Sequence, residues 1–184
     1  ILFCRNSTQN ALNSIQTNIA LLQQFEFTRK AGTATVRLEP VGVAGIITPW
    51  NASNSFICGK LSTAIAAGCT AVIKPSELSG RQTQLLLECL HEAGLPDGVF
   101  NVVNGLGNVV GAAITAHKDI AKISFTGSTI TGKTIARGAV DTMKRITLEL
   151  GGKSPNILLE DADLKTAIPM AIQAAYMNSG QACI

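Results

Sequence analysis

Residues 41–74 read VGVAGIITPWNASNSFICGKLSTAIAAGCTAVIK, and this stretch decides the fold. It contains two short β-branched runs, Val43–Thr48 and Thr70–Lys74, separated by an Ala- and Leu-containing segment at 61–67 that is typical of a helix. Gly68 directly after that segment is a helix stop signal. A strand, a helix and a second strand in this order predict a parallel βαβ unit with a right-handed crossover.

The same alternation continues along the chain. Further strands are predicted at 99–103, 120–125, 146–150 and 156–159, and helices at 81–93, 109–116, 132–140 and 163–178. We expect these short strands to be apolar on both faces, which is typical of a parallel sheet covered by helices on both sides. The fold class predicted is therefore an α/β doubly wound parallel sheet. Upstream, apolar residues at helical spacing predict a helix that ends at 30–32, followed by an edge strand at 33–38.

Composition excludes several classes of protein. With 46% hydrophobic and 15% charged residues among 184, the chain can bury a sizeable core. The net charge of +3 is spread thinly and no apolar run approaches the ~20 residues that span a bilayer, so we expect neither a nucleic-acid nor a membrane partner. Five cysteines without C-x-x-C spacing predict no metal site and indicate reduced thiols in a cytoplasmic location. The apolar ends, without an initiator Met, suggest a piece of a longer chain.

Polar or Gly-rich segments follow five of the predicted strands. Because the carboxyl ends of parallel strands share one edge of the sheet, these segments should form one site, and a dinucleotide is the default ligand. The segments are 49–51, 74–77, 104–107, 126–129 and 151–155.

Two of these loops are candidates for binding phosphate. Residues 105–111 give G-x-G-x-x-x-G after a strand, but a tight strand-to-helix turn would use the same glycines, and both interpretations stay open. The loop with Gly127 and Ser128 is the better candidate, since Gly127 permits close backbone approach and a helix N-terminus follows.

Three further residues suggest chemistry. Cys183 follows a helix end beside a glycine, where a thiol can be tuned toward thiolate. Glu149 ends a strand predicted to be buried, which would raise its pKa and suit it to base catalysis, although a paired structural carboxylate is the alternative. Asn51 could donate to an oxyanion or merely close a turn. Together they suggest hydride abstraction from a thiol adduct followed by acyl transfer.

The motifs, taken together, resemble the aldehyde dehydrogenase superfamily in order and spacing from about Glu39 to Cys183. The residues that carry the resemblance are Pro49-Trp50-Asn51, Lys60, 67–77 (AGCTAVIKPSE), 125–128 (FTGS), 148–155 (LELGGKSP) and 180–183 (GQAC).

The resemblance implies a reaction and its catalytic residues. Cys183 would be the nucleophile that forms a thiohemiacetal with the aldehyde, and hydride transfer to NAD would leave a thioester. Asn51 and the Cys183 backbone N–H would form the oxyanion hole. Glu149 would activate the deacylating water, which favours a carboxylic acid product, and Lys60 would support the site network.

The resemblance also implies the cofactor and its contacts. Lys74 and Glu77 would bind the adenosine ribose, and a carboxylate there favours NAD over NADP. The loop from Gly127 through Ser128 to Gly132 would contact the pyrophosphate. Trp50 is also assigned to the cofactor site, with packing as its alternative role.

The resemblance implies an organisation, with some departures. Residues 1–38 would form a leading helix and an oligomerisation-type edge segment, 39–152 the Rossmann-like dinucleotide-binding domain, and 153–184 the start of a catalytic domain cut after the nucleophile. A full-length protein would be a homo-oligomer, dimer or tetramer, acting on a small-molecule aldehyde; the alternative is a nucleotide-binding fragment without catalytic activity. Ala52-Ser53 stand where the family has an aromatic residue and a proline, and Ile130-Thr131 also depart from its pattern.

Overall fold

The computed structural model describes residues 2–183, with side chains from residue 4 onward, so Ile1 and Ile184, the ends of the first and last predicted segments, lie outside it. The helices are α1 (Leu2–Leu22), α2 (Ser53–Ala66), α3 (Gly80–Glu92), α4 (Ala112–Ala116), α5 (Thr129–Ala139) and α6 (Leu164–Tyr176). The strands are β1 (Thr28–Ala31), β2 (Ala34–Arg37), β3 (Val43–Ile47), β4 (Thr70–Lys74), β5 (Phe100–Val102), β6 (Ile120–Thr126) and β7 (Arg145–Glu149).

The main sheet has five parallel strands in the order β5-β4-β3-β6-β7. β3 is the first strand of this sheet in the chain and lies at its centre. The chain then adds β4 and β5 on one side of β3, and β6 and β7 on the other side. This reversal between β3 and β6 confirms the doubly wound fold. Parallel sheets bind ligands at such a switch point, outside the carboxyl ends of the strands.

Two apolar clusters cover the two faces of the sheet. On one face, Ile57 and Leu61 of α2 pack with Ile46 and Ile73, and α3 adds partly buried leucines. On the other face, α4 and α5 cover the sheet, with the cluster Ile47, Ile114, Ile120, Ile123, Phe125 and Ile135. Helices on both faces explain why the strand interiors are rich in β-branched residues.

Strands β6 and β7 differ from the expectation of two apolar faces. On the α2 side of the sheet, β6 carries Lys122, Ser124 and Thr126, and β7 carries Thr147 and Glu149. Strand β7 is also at the edge of the sheet and is mostly exposed. The sequence prediction gave weight to the apolar residues of these strands and overlooked the polar residues that alternate with them.

The segment predicted as a strand at 156–159 is not one, so that prediction was wrong. Residues 150–159 have no strand partner, and Ile157 and Leu159 are 74% and 67% exposed. A strand is defined by pairing with a neighbour, which an apolar run alone does not provide.

The start of the chain also corrects the sequence prediction. Helix α1 ends at Leu22 rather than at 30–32, and Lys30 and Ala31 belong to β1. The predicted edge strand pairs antiparallel with β1 in a separate hairpin, not with the main sheet. Gly32, taken as a helix stop, has φ +62° and forms the hairpin turn instead.

Candidate active site

A cleft of about 750 Å³ lies at the carboxyl ends of β3, β6 and β7. It is lined by segments 49–51, 126–128, 150–153 and 180–183, together with Phe56. Segments 49–51, 126–128 and 150–153 follow β3, β6 and β7, which are neighbours in the sheet, so the topology brings them to one edge, whereas 74–77 and 104–107 do not line this cleft. The cleft therefore joins sequence motifs that are up to 134 residues apart, from Pro49 to Cys183.

Cys183 lies at this cleft with an exposed thiol. The backbone of Gly152 passes so close that an added Cβ would lie 3.1 Å from the Cys183 carbonyl oxygen. Lys153 donates from Nζ to the Gly180 carbonyl oxygen at 3.3 Å. The Gly-Gly-Lys segment therefore packs closely against the backbone on which Cys183 lies, and a side chain at 152 would crowd it.

Asn51 connects the end of β3 to the same segment. Its Nδ2 donates to the Gln181 carbonyl oxygen at 2.9 Å, two residues before Cys183. An amide nitrogen carries two hydrogens, so one remains for a substrate oxygen. Asn51 Oδ1 and Thr126 Oγ1 are buried at the cleft and have no hydrogen-bond partner within residues 2–183.

Glu149 ends β7, where it pairs in register with Thr126, and its carbonyl oxygen accepts from Gly127 N at 3.0 Å. Its side chain is exposed rather than buried, so the burial assumed from the sequence was wrong for this chain. Glu149 is not among the residues lining the cleft; Leu150, on the opposite side of the strand, is.

Lys60 lies on α2 and faces a second recess of about 490 Å³ on the same side of the sheet as Glu149. Its Nζ donates to Ser124 Oγ at 2.9 Å. Burial lowers the pKa of Lys60, Glu149 opposes that effect, and Lys122 adds to it. The structure thus connects Lys60 electrostatically to Glu149, and through Ser124 to β6.

Lys74 and Glu77 form an ion pair at the end of β4. Lys74 Nζ lies 3.4 Å from Glu77 Oε2 and donates to the Pro75 carbonyl oxygen at 2.8 Å, with only 4% of the Lys74 side chain exposed. A hydrogen bond from its own backbone N–H lowers the pKa of Glu77, and Lys74 lowers it further. The carboxylate is exposed and charged at neutral pH, as a ribose-binding residue requires.

Ser128 is the N-cap of α5 and accepts from Thr131 N at 3.2 Å. A Cβ on Gly127 would lie 2.5 Å from the Phe125 ring, and one on Gly132 would lie 2.5 Å from Leu150 Cδ2. Close packing therefore accounts for glycine at both positions, whether or not the loop also binds phosphate. Trp50 lines the cleft with 46% of its surface exposed, so it is available to a ligand.

The Gly-rich loop after β5 forms a tight strand-to-helix turn, which is one of the two interpretations of its sequence. Residues 107–111 form a π-helical turn in which Val109 N and Val110 N both donate to the Leu106 carbonyl oxygen. A Cβ on Gly105 would lie 2.5 Å from Val110 Cγ2, so packing requires that glycine. The helix predicted at 109–116 is therefore shorter, with α4 starting at Ala112.

Sequence reasoning missed a groove of about 470 Å³ between α4 and α5. Its walls are mainly small and apolar: Ile47, Gly107, Asn108, Gly111, Ala112, Thr115, Ala116, Ile130, Thr131, Thr134, Ile135 and Gly138. A Cβ on Gly111 would lie 4.0 Å from Lys74 Cδ, so the groove is next to the Lys74–Glu77 pair. Small residues at helical spacing were its only signal in the sequence.

Two searches of the described residues gave negative results. Residues 2–183 contain no cluster of three or more His, Cys, Asp or Glu side chains arranged to hold a metal ion. Within the same range, none of the helices is long and apolar enough to cross a membrane.

The doubly wound sheet and the thiol at its switch-point cleft define an α/β protein with a candidate ligand-binding site and a candidate cysteine nucleophile. Residues 3–184 match the aldehyde dehydrogenase family, and the chain belongs to that family.

Relatives of this family match most of the chain. A 3-succinoylsemialdehyde-pyridine dehydrogenase from a Pseudomonas species is 46% identical over 172 residues, 94% of this chain and 36% of that protein. A chloroplastic betaine aldehyde dehydrogenase from Atriplex hortensis is 46% identical over 145 residues, 79% of this chain and 29% of that protein.

A solved structure is similarly close. Aldehyde dehydrogenase C from Pseudomonas syringae, as a cysteine-to-alanine mutant in complex with NAD+ and octanal, superposes with a TM-score of 0.94 at 47% identity. The match covers 96% of this chain and 36% of that one. The chain thus spans about a third of the length of the relatives it matches.

Proposed function

We propose that the full-length protein is an NAD-dependent aldehyde dehydrogenase that oxidises an aldehyde to a carboxylic acid. The observation that carries this proposal is the cleft in which the exposed Cys183 thiol and the Asn51 amide meet at the switch point of the sheet. Membership of the family supports the reaction class, and the NAD+ complex of the Pseudomonas syringae relative supports the cofactor.

The residues present fit NAD. The small-walled groove between α4 and α5 suits a flat adenine ring, and the neighbouring Lys74–Glu77 pair offers an ammonium and a carboxylate to ribose hydroxyls. The N-terminus of α5 after Ser128 favours a pyrophosphate. In the cleft, Asn51 Oδ1 and Thr126 Oγ1 are buried and have no partner among residues 2–183, so they suit a polar group such as the nicotinamide carboxamide. A negative Glu77 would repel a 2′-phosphate, so NAD is preferred to NADP.

The first half of the proposed reaction makes a thioester. The Cys183 thiolate attacks the aldehyde carbon, the S–C bond forms, and the carbonyl electron pair moves to oxygen. The free Asn51 N–H and the Cys183 backbone N–H stabilise that oxygen. As the C=O bond forms again, the carbon loses a hydride with its electron pair, which leaves a thioester on Cys183. NAD+, when bound, supplies the acceptor for this hydride.

The second half releases the acid. Glu149 accepts a proton from a water molecule, whose oxygen attacks the thioester carbon. The C–S bond then breaks and Cys183 leaves as the thiolate, ready for another turnover. Glu149 lies outside the cleft lining in this chain, so its side chain has to turn toward Cys183 for this step.

The substrate is proposed only as a class. The two relatives above share 46% identity with this chain and are named for a pyridine semialdehyde and for betaine aldehyde, and the solved relative holds octanal. Similar identity thus accompanies unlike aldehydes.

Ala52 and Ser53 lie at the start of α2 beside the cleft loop, where Ser53 is buried and donates to the Pro49 carbonyl oxygen at 3.1 Å.

Two substitutions in the full-length enzyme test the catalytic residues. Cys183→Ala should lower the rate of aldehyde oxidation by more than about 10³-fold, because no nucleophile remains. Glu149→Gln should give a rapid burst of NADH followed by slow turnover, because the thioester accumulates. Cys89→Ala, which removes an exposed thiol outside the cleft, is the matched control and should keep full activity. Retained turnover in Cys183→Ala would refute the nucleophile.

The alternative function is a nucleotide-binding module without catalysis. It is favoured for the 184-residue chain alone, since this chain spans about a third of its relatives. Calorimetric titration with NAD and an aldehyde oxidation assay on the same sample distinguish the two. Binding without turnover supports the module, and turnover refutes it.

Three further proposals concern the whole protein. The first is a division of the chain at about residues 39 and 153 into a leading segment, a cofactor-binding domain and the start of a catalytic domain. A homo-oligomer, dimer or tetramer, is the second. A reducing, cytoplasmic location is the third; all five cysteines, which lie in the described part, are free thiols, as such a location requires.

A further inference from the structure

One face of β6 and β7 carries a polar ladder on the side covered by α2. Its members are Lys122, Ser124 and Thr126 on β6 and Arg145, Thr147 and Glu149 on β7. Alternate residues of a strand share a face, and the register pairs Ser124 with Thr147 and Thr126 with Glu149. Along the strand direction, Ser124 is therefore two residues, or about 6.6 Å, from the position that pairs with Glu149.

The ammonium of Lys60 reaches this ladder from α2. Its Nζ donates to Ser124 Oγ at 2.9 Å. Among residues 2–183, no carboxylate oxygen lies within 4.0 Å of Lys60 Nζ, so the ammonium forms no ion pair there. Lys122 is held in the same way, since its Nζ donates to Thr147 Oγ1 at 2.7 Å. Each hydroxyl thus fixes one lysine, and the two pairs lie side by side.

The charges around Lys60 favour a different partner. Glu149 on β7 attracts its ammonium, and Lys122 on β6 repels it. Arg145 on β7, Glu39 before β3 and Cys69 before β4 line the same recess. Glu149 is exposed and holds no cation in the described part of the chain. The hydrogen bond to Ser124 holds the Lys60 ammonium one strand step below the level of Glu149.

We propose that Ser124 is a positioning residue that holds the Lys60 ammonium at β6 and thereby leaves the Glu149 carboxylate free to act as a base. The inference rests on the proposed function, because it assumes that Glu149 deacylates the enzyme. A direct ion pair would direct the carboxylate toward Lys60 and away from the thioester on Cys183. It would also stabilise the charged form and make Glu149 a weaker base.

The test is Ser124→Ala in the full-length enzyme, where the released Lys60 pairs with Glu149. Because deacylation slows and acylation does not, we expect kcat to fall about tenfold with kcat/KM unchanged, and NADH to appear in a burst. The acid limb of the kcat profile should move to lower pH by about one unit, since an opposite charge at close range has an effect of this size. Ser124→Thr keeps the hydroxyl and should restore both values.

Two further variants control the interpretation. Thr142→Ala removes a hydroxyl that donates to the Ala139 carbonyl oxygen, away from the polar ladder, and should leave the profile unchanged. In a Lys60→Met background, Ser124→Ala should change kcat by less than twofold, because no ammonium is left to release.

An unchanged kcat and pH profile in Ser124→Ala would overturn the inference, as would a full tenfold loss in the Lys60→Met background. Failure of the proposed function has a different signature, in which the wild-type enzyme itself oxidises no aldehyde.

Discussion

At the scale of single residues, burial separates the five cysteines into two groups. Cys58 and Cys69 are 4% and 7% exposed, whereas Cys4, Cys89 and Cys183 are exposed. Burial raises the pKa of Cys58 to about 11. A raised pKa keeps the thiol protonated, and only the thiolate is a strong nucleophile.

Alkylation should follow this division. With iodoacetamide at pH 8, the native 184-residue chain should be modified at Cys4, Cys89 and Cys183, and at Cys58 only after denaturation. Mass spectrometry of proteolytic peptides, compared between native and urea-denatured samples, measures this. Modification of Cys58 at the same rate as Cys89 in the native sample would contradict the buried environment.

At the same scale, the proposed preference for NAD depends on the Glu77 carboxylate. In the full-length enzyme, Glu77→Gln removes the negative charge that would repel a 2′-phosphate, while the side chain keeps its size. We expect the ratio of kcat/KM for NAD to that for NADP to fall roughly tenfold, about 1.4 kcal/mol. Exposed Glu88→Gln on α3 is the control and should leave the ratio unchanged; an unchanged ratio in Glu77→Gln would refute the role of the carboxylate.

At the scale of elements, the central strand depends on close contact with a helix. Gly45 lies in the middle of β3, and a Cβ there would lie 2.7 Å from Ile114 Cγ2 of α4. Ile114 is buried in the core and β-branched, so it has little freedom to move away. The glycine therefore sets how closely α4 packs on the sheet.

Gly45→Ala in the full-length protein should lower the free energy of unfolding by about 1–3 kcal/mol through overpacking. Gly59 provides the matched control, because it lies within α2 and an added Cβ would be 3.5 Å from Ser14 Oγ, an ordinary contact. Gly59→Ala should be neutral or stabilising by about 0.5–1 kcal/mol, since alanine favours helix. Urea denaturation of both variants measures the difference, and equal effects would contradict it.

At the scale of the whole molecule, the chain exposes much apolar surface beyond the sheet. On α6 and the segment before it, Ile157, Leu159, Leu164, Met170 and Tyr176 are all more than half exposed, the least at 56%. Exposed apolar side chains concentrated in one part of a chain favour an interaction site or association.

The 184-residue chain made alone should therefore associate as its concentration rises. Light scattering on a size-exclusion column should give a mass above 19.2 kDa that increases with loading. Replacing exposed Met170 and Ile172 by Glu should reduce association without unfolding the sheet, because both side chains point to solvent. A monomeric wild-type sample that unfolds cooperatively would contradict this prediction.

The sequence by itself determined the alternation of strands and helices, and hence the parallel sheet and the edge where its site lies. These features follow from local periodicity and from Gly and Pro signals, which act over a few residues. The motifs around Asn51 and Gly127 also lie in one cleft, as their positions after neighbouring strands predicted.

Only the tertiary structure decided the strand order, the exposure of Glu149 and the partners of the site residues. Asn51 donates to a carbonyl 130 residues away, and Lys60 to a hydroxyl 64 residues away. Such contacts depend on which strand neighbours β3, and no local propensity specifies a pairing across that distance. For the same reason an apolar run at 156–159 could not reveal that it has no strand to pair with.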